Sequence, residues 1–378
     1  MTSLRIRTLT LAGAALLGCG AMAGVAHGKA MLVPPAEQTC KHCLSPLVTQ
    51  APVPPKGFNP VTASDAQLAQ YGFPPRPDPL SAPGSYSVWH EAVTVPRRII
   101  TGFQQTNMYA GPANILSEGP KVPGSTATGA SSSNWSGYAV YSTNNPFKVV
   151  DTTVYGVFEV PFPQQAFGSC SGGWDYAVEW VGLDGWGSND VLQAGVQNDA
   201  YCSGGTTSQY YSAWYEWYPY SWTNISGFPV SAGDIIYLYV WPTSSTTGEY
   251  YIVNLTAQYA SEASFSAPNG TTLVGDSMEW ITERPGINGS LATLSNYVNV
   301  PWYYATGYVP KGDSSTQYSP ADGHSGTIYS ITMDDNNGNG ISDAFTSKNN
   351  GMTYVAPNGD NYYYSGTALW FYDFGSAY

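Results

Sequence analysis

From Asn134 onward the sequence is a succession of short runs in which side chains alternate in character. No long stretch carries the 3.6-residue period of an amphipathic helix. NWSGYAVYS, TTVYGVFEVP, DIIYLYVWP, EYYIVNLTAQ, SMEWITERP, GTIYSITM, MTYVAP and TALWFYDF are rich in Tyr, Val, Trp and Thr, and Gly, Asn, Pro and Ser separate them. Aromatic and β-branched residues suit a pleated, half-buried surface. The pattern predicts an all-β domain over residues 131–378, a two-sheet antiparallel β-sandwich of jelly-roll type.

Within this series the stretch Val178–Pro219 has the most unusual faces. It reads VEWVGLDG, then VLQAGVQ, then SAWYEWYP. Strict alternation puts Val191, Gln193 and Gly195 on one face of the second run, and Ser212, Trp214, Glu216 and Tyr218 on one face of the third. SMEWITERP does the same for Glu279, Ile281 and Glu283. Amides and carboxyls on aromatic strand faces are costly unless a polar partner meets them.

Charge narrows the partners. Charged residues make up 10% of the chain and the formal net charge is −13. From Ser131 onward four basic residues (Lys148, Arg284, Lys311, Lys348) face twenty-one Asp and Glu. Nucleic acid and anionic membranes are therefore poor partners. Such a composition fits work at about pH 3–4, where many carboxyls are neutral. It also fits a soluble acidic secreted surface, and composition alone leaves both open.

The first 130 residues differ. Arg5 and Arg7 precede an apolar run from Leu9 to Val25, followed by small residues suited to signal peptidase, so residues 1–30 read as an export signal and the protein as secreted. Leu16-Leu17-Gly18-Cys19 faintly resembles a lipoprotein box, which makes anchoring through Cys19 the minor alternative. No later run is apolar enough to cross a bilayer. Residues 31–130 are dense in Pro, carry six of the nine basic residues found before Ser131, and show a strand-like pattern only over Ser87–Thr101. They read as a propeptide or extended linker. As a propeptide they would inhibit the acidic domain until low pH protonates the carboxylates that hold them. The Gly, Ser, Thr and Ala stretch from Gly124 to Ser133 reads as boundary and processing site. Cys170 and Cys202 bracket the Gln193 segment and are the expected disulfide. Cys40 and Cys43 form a lone CxxC without the second pair a zinc site needs, so a local disulfide or two free thiols is expected.

Little catalytic chemistry remains available after Ser131. The region has one histidine, His324 in DGHSG, which removes His-cluster metal sites and most Ser-His-Asp or Cys-His arrangements. DNNGNGISD (Asp335–Asp343) partly matches a calcium loop, but Thr346 stands where a bidentate Glu is needed, so a hairpin turn is expected. No cofactor or metal is called for. Carboxyls, amides and aromatic rings are left.

NWSGYAV, VEWVGLDG, VLQAGV, AWYEWYP and EWITERP, in this order, resemble the glutamic peptidases (eqolisins) from about Asn134 to Glu283. The resemblance implies a secreted acid endopeptidase acting on polypeptides, with a seven-stranded two-sheet sandwich and a Gln and Glu dyad. It assigns the dyad to Gln193 and Glu283, and supporting or substrate-binding positions to Trp135, Trp180, Asp184 and Glu216, with Glu279 further along the Glu283 face. It also implies acids at Gln197 and Ser212, which this chain lacks. Two other readings compete. Glu279 and Glu283 as ExxxE imitate a β-jelly-roll glycoside hydrolase, although Ile281 stands where its middle Asp belongs. A non-catalytic carbohydrate-binding or adhesion module would use the same aromatic face. The sequons at Asn224 and Asn254 are candidates for glycosylation, and a monomer is the default.

Overall fold

A computed structural model of the chain describes residues 34, 46–95, 98–166, 170, 172–311, 314–335, 337–347, 352–355, 361–364 and 367–374. The expected export signal, Cys19, Cys40 and Cys43 lie outside them. The main strands are β1 (Trp135–Tyr141), β2 (Thr153–Glu159), β3 (Val178–Leu183), β4 (Val191–Ser203), β5 (Thr206–Tyr218), β6 (Ile235–Ser244) and β7 (Thr247–Asn254). They continue with β8 (Tyr259–Ser266), β9 (Ser277–Glu283), β10 (Asn299–Lys311), β11 (Thr327–Asp334), β12 (Gly340–Ser347) and β13 (Ala368–Asp373).

The front sheet runs β5, β4, β3, β9, β1, β11, and the back sheet runs β10, β2, β6, β7, β8, each pair antiparallel. β12 and β13 continue the ladder from β11 round to β10, so the two layers of this antiparallel sandwich are one ribbon folded over. The long β4–β5 hairpin turns on Gly204 and Gly205, both at positive φ, which a two-residue turn requires. Residue alternation decides what lies between the layers. Leu192, Ala194 and Val196 of β4 and Ala213, Tyr215 and Trp217 of β5 share a core with Ile236, Leu238, Val240, Tyr250 and Ile252 of the back sheet. The opposite face of the front sheet carries Trp135, Trp180, Trp214 and Ile281, as the alternation predicts.

The Cys170–Cys202 disulfide is present, with Cα atoms 5.4 Å apart. Asp335 accepts from the backbone of Asn337 and Asn339 in a tight turn. Among the described residues no group of three or more His, Cys, Asp or Glu is placed to hold a metal, and no helix is long and apolar enough to cross a membrane.

The proline-rich segment departs from expectation. Of Ser87–Thr101 only Arg98–Ile99 is a strand: α2 spans Pro83–Thr94, after the shorter α1 (Asp65–Gln70). Ser85, Val88, Trp89, Ala92 and Val93 are its buried residues, a helical spacing obscured by the Val and Thr around it. α1 and α2 cover the outer face of the back sheet, packing Leu68, Val88 and Trp89 against Tyr237, Tyr239, Trp241 and Tyr251. Val48–Thr49 and Arg98–Ile99 pair with β8, and Gly102–Gln105 pairs with Thr223–Ser226 beside β5. The segment therefore covers strand edges that would otherwise be open to pairing. Thr128–Ser132, inside the expected linker, is a strand paired parallel to β11.

Arg76 pairs with Asp65 inside the same segment, and Arg98 stacks on Tyr259. Sandwich carboxyls meet the segment through its backbone: Glu262 accepts from Ala51, Glu216 from Ala110 and Glu283 from Gly111, and burial pushes the Glu262 pKa up to about 7.

Candidate active site

β3, β4, β5 and β9 bring the polar residues of the front sheet to one surface. Gln193 stands opposite Glu216 in the β4–β5 ladder, and both are buried. Gly182 lies opposite Gln193 on one side and Glu279 on the other, whereas Val178 lies opposite Gln197 and Glu283. Gln193 and Glu283 are therefore diagonal partners, and Glu279 is the residue level with Gln193. The floor between them is aromatic. Gly195 allows it, because a Cβ there would lie 2.4 Å from Glu179 O and 2.7 Å from the Trp214 ring.

Glu283 is gripped by four N–H donors. Its Oε1 accepts from Asn134 Nδ2 and Gly111 N, both at 3.1 Å, and its Oε2 accepts from Trp180 Nε1 at 3.0 Å and Trp135 Nε1 at 3.1 Å. Burial pushes its pKa well above the ordinary carboxyl range, and these donors pull against that. Glu216 is also raised, first by burial, while the Ala110 N–H pulls it down and Glu283 pushes it up. Gln193 Nε2 faces two acceptors, Ala110 O and Glu216 Oε2, the latter at 3.3 Å, which fixes that end of the amide as the donor. Among the described residues Gln193 Oε1 accepts no hydrogen bond.

An extended stretch of the N-terminal segment crosses this surface. Thr106 N donates to Trp222 O at 3.1 Å, and Trp222 N donates to Met108 O at 3.0 Å. Ala110 N donates to Glu216 Oε2 at 2.9 Å, Ala110 O accepts from Gln193, and Gly111 N donates to Glu283. Gly111 O then accepts from Trp135 Nε1 at 3.0 Å, Pro112 O from Asn134 Nδ2 at 3.1 Å, and Ala113 N donates to Gly185 O at 3.0 Å. One peptide unit, Ala110–Gly111, thus rests its carbonyl on Gln193 and its nitrogen on Glu283.

The other candidate residues divide. Trp135 and Trp180 touch the site through their indole N–H groups, not only as walls. Asp184 points away from it: at φ 71° its carboxylate accepts the backbone N–H groups of Val274, Gly275 and Asp276 at 2.7–3.0 Å, so it holds a loop. Glu279 is buried; burial raises its pKa, Ser277 pulls it down, and Asp184, Asp276 and Asp190 lie near enough to raise it further. Glu279 and Glu283 stand four residues apart on one face of β9, opposite Gly182 and Val178 of β3. At the positions where the resemblance implies acids, Ser212 Oγ donates to Gln197 Oε1 at 2.7 Å and Gln197 Nε2 faces Met108 Sδ at 3.8 Å. Asn134 and Trp222 were not singled out from sequence, Asn134 appearing only inside NWSGYAV. The Asn254 and Asn224 side chains are buried, which leaves no room for sugars.

Residues 133–354, more than half of the chain, match the Peptidase A4 family. Aspergillopepsin-2 of Aspergillus niger is 31% identical over 205 residues, 48% of this chain and 69% of that protein. Scytalidopepsin B of Scytalidium lignicola is 32% identical over 151 residues, 40% of this chain and 51% of that protein. Among solved structures, scytalido-glutamic peptidase with a transition-state analogue inhibitor aligns with a TM-score of 0.45 at 25% identity, over 64% of this chain and 98% of that one. Aspergilloglutamic peptidase from Aspergillus niger aligns with a TM-score of 0.38 at 27% identity, over 53% of this chain and 99% of that one.

Proposed function

The chain belongs to the peptidase A4 family and is a peptide hydrolase, and from that premise we propose that Glu283 and Gln193 form its catalytic dyad in a secreted acid endopeptidase. The observation that carries this reading is the Ala110–Gly111 peptide unit lying across both side chains. Ionised Glu283 takes a proton from a water, and the water oxygen attacks the scissile carbonyl carbon. Gln193 Nε2 donates to the oxygen on which negative charge develops, and a donor of this kind is worth about 2.7–4 kcal/mol of barrier. Gln193 Oε1, which accepts nothing among the described residues, orients the water. Glu283 then returns the proton to the amide nitrogen, the atom it touches in Gly111, and the C–N bond breaks. An uncharged amide keeps its donor at every pH, which suits acid conditions.

Trp135, Trp180 and Asn134 hold the Glu283 carboxylate and favour its ionised form. Glu216 receives the substrate N–H on the acyl side, and because Glu283 raises its pKa the two carboxyls titrate as a group. Substrate binds extended, through main-chain hydrogen bonds like those of Thr106 and Met108 to Trp222. The N-terminal segment acts as an inhibitory propeptide by lying in this groove.

The test is digestion of a denatured protein at pH 2–5 by the chain freed of its N-terminal segment, beside the Glu283→Gln form. The wild type should degrade the substrate and the variant should not. Equal digestion by both would remove Glu283 from the mechanism.

A further inference from the structure

We propose that the Ala110–Gly111 bond is where the chain cuts itself, in cis, to open its own groove. The inference rests on the Gln193 and Glu283 reading given above. Three features single out this bond. First, of the peptide units crossing the groove, it is the one whose oxygen meets Gln193 and whose nitrogen meets Glu283. Second, the flanking backbone is held on both sides: Ala110 N by Glu216 before the bond, and Gly111 O and Pro112 O by Trp135 and Asn134 after it. That is how an extended substrate is gripped, with the reacting atoms already in register. Third, the segment reaches the groove within its own chain: Gly102–Gln105 pairs with Thr223–Ser226, and Ala113 and Asn114 are tied to Gly185 and Asn134. No second molecule is needed.

The step balances with water alone. A water oxygen bonds to the Ala110 carbonyl carbon, Glu283 carries its proton to Gly111 N, and the C–N bond breaks. Ala110 ends as a carboxylate and Gly111 becomes the new amino terminus. This places the cut upstream of the strand Thr128–Ser132, which stays in the sheet beside β11, rather than in the 124–133 stretch. Residues 111–133 then remain with the sandwich. The same pose indicates what the groove accepts. A small residue lies buried on the acyl side, a residue without bulk follows it, and Met108 sits two positions earlier in the cluster that holds Trp214 and Trp222.

Full-length protein is incubated at steps between pH 3 and pH 7, and the products are read by intact mass and N-terminal sequencing across a 100-fold range of concentration. Separately, a synthetic peptide covering Gln105 to Ile115 is digested by the processed enzyme. The expected results are a chain beginning Gly111-Pro112-Ala113, a half-time independent of concentration, no such product from Glu283→Gln or Gly111→Pro, and cleavage of the peptide between Ala110 and Gly111. If the enzyme digests added denatured protein but its own new terminus lies elsewhere, or the half-time shortens in proportion to concentration, the proposal fails while the dyad stands. If neither added protein nor its own chain is cut, the dyad reading fails and takes this proposal with it.

Discussion

Replacing Glu262 by Gln should stabilise the full-length protein at pH 8 and leave it unchanged at pH 4. Glu262 lies on β8, beneath the N-terminal segment, where both its oxygens accept from Ala51 N at 3.2 and 3.3 Å. It is 8% exposed, and burial pushes its pKa up to about 7. An unfolded glutamate titrates near 4.3. A carboxyl whose folded pKa is raised contributes fully below the unfolded value. Its contribution is lost as pH climbs from about 4.3 through about 7, because the unfolded chain gives up its proton first. Taking about 1.36 kcal/mol per pH unit, the loss is negligible at pH 4, about 2 kcal/mol at pH 6 and about 4 kcal/mol at pH 8. Gln keeps an oxygen for Ala51 N–H and never ionises. For a chain of this size, with an unfolding entropy of about 2 cal/mol/K per residue, the gain at pH 8 corresponds to a Tm about 5 °C above the wild type. Thermal unfolding followed by circular dichroism at pH 4, 6 and 8, using the Glu283→Gln background to prevent self-digestion, measures it. A wild-type Tm that stays flat or rises between pH 4 and 8, or a Glu262→Gln melt that tracks the parent at pH 8, would refute the reasoning.

Trp180→Phe removes the indole donor to Glu283 Oε2. Losing a hydrogen bond to the ionised form raises the Glu283 pKa, so the rising limb of kcat/KM in the processed enzyme should move about one to two pH units higher; an unmoved limb would show that the contact is only packing. Cys170→Ala with Cys202→Ala opens the loop closed by the disulfide and should cost about 3–4 kcal/mol of stability on the chain-entropy model, read as a lowered denaturant midpoint with a slope no shallower than the parent's, since the freed denatured chain is less compact. Gly195→Ala forces a methyl against Glu179 O and the Trp180 and Trp214 side chains, and should destabilise by about 1–3 kcal/mol or more, with loss of soluble protein. A melting temperature within a degree of the parent would mean the sheet yields there.

What the sequence discloses here follows from how local each feature is. Alternation is a property of neighbouring residues, so the faces of Gln193, Glu216 and Glu283 are readable directly from VLQAGV, AWYEWYP and EWITERP. Register is not local. Gly182 stands opposite both Gln193 and Glu279, so a strand-by-strand reading gives no reason to prefer Glu283; only the family resemblance makes that choice. Asp184 looks like a turn residue or a site residue with equal ease until its three backbone donors from residues 274–276 are seen. In the proline-rich segment, Tyr109-Ala110-Gly111-Pro112 reads as a loop, since Gly and Pro break any period. Its position in the groove depends on pairings made far along the chain, such as Met108 with Trp222. Helix α2 was hidden for another reason: Val88, Trp89, Ala92 and Val93 fit a helical stripe, but Val and Thr beside them also satisfy a strand.

The most direct measurement is steady-state kinetics of the processed enzyme on one synthetic peptide at acid pH, comparing wild type with Gln193→Ala and Glu283→Gln. A donor that acts on developing charge should cost about 100- to 1,000-fold in kcat when Gln193 is removed, with KM little changed, and loss of Glu283 should leave no measurable turnover. A Gln193→Ala enzyme that keeps its kcat and only raises KM, or a Glu283→Gln enzyme that still turns over, would contradict the dyad.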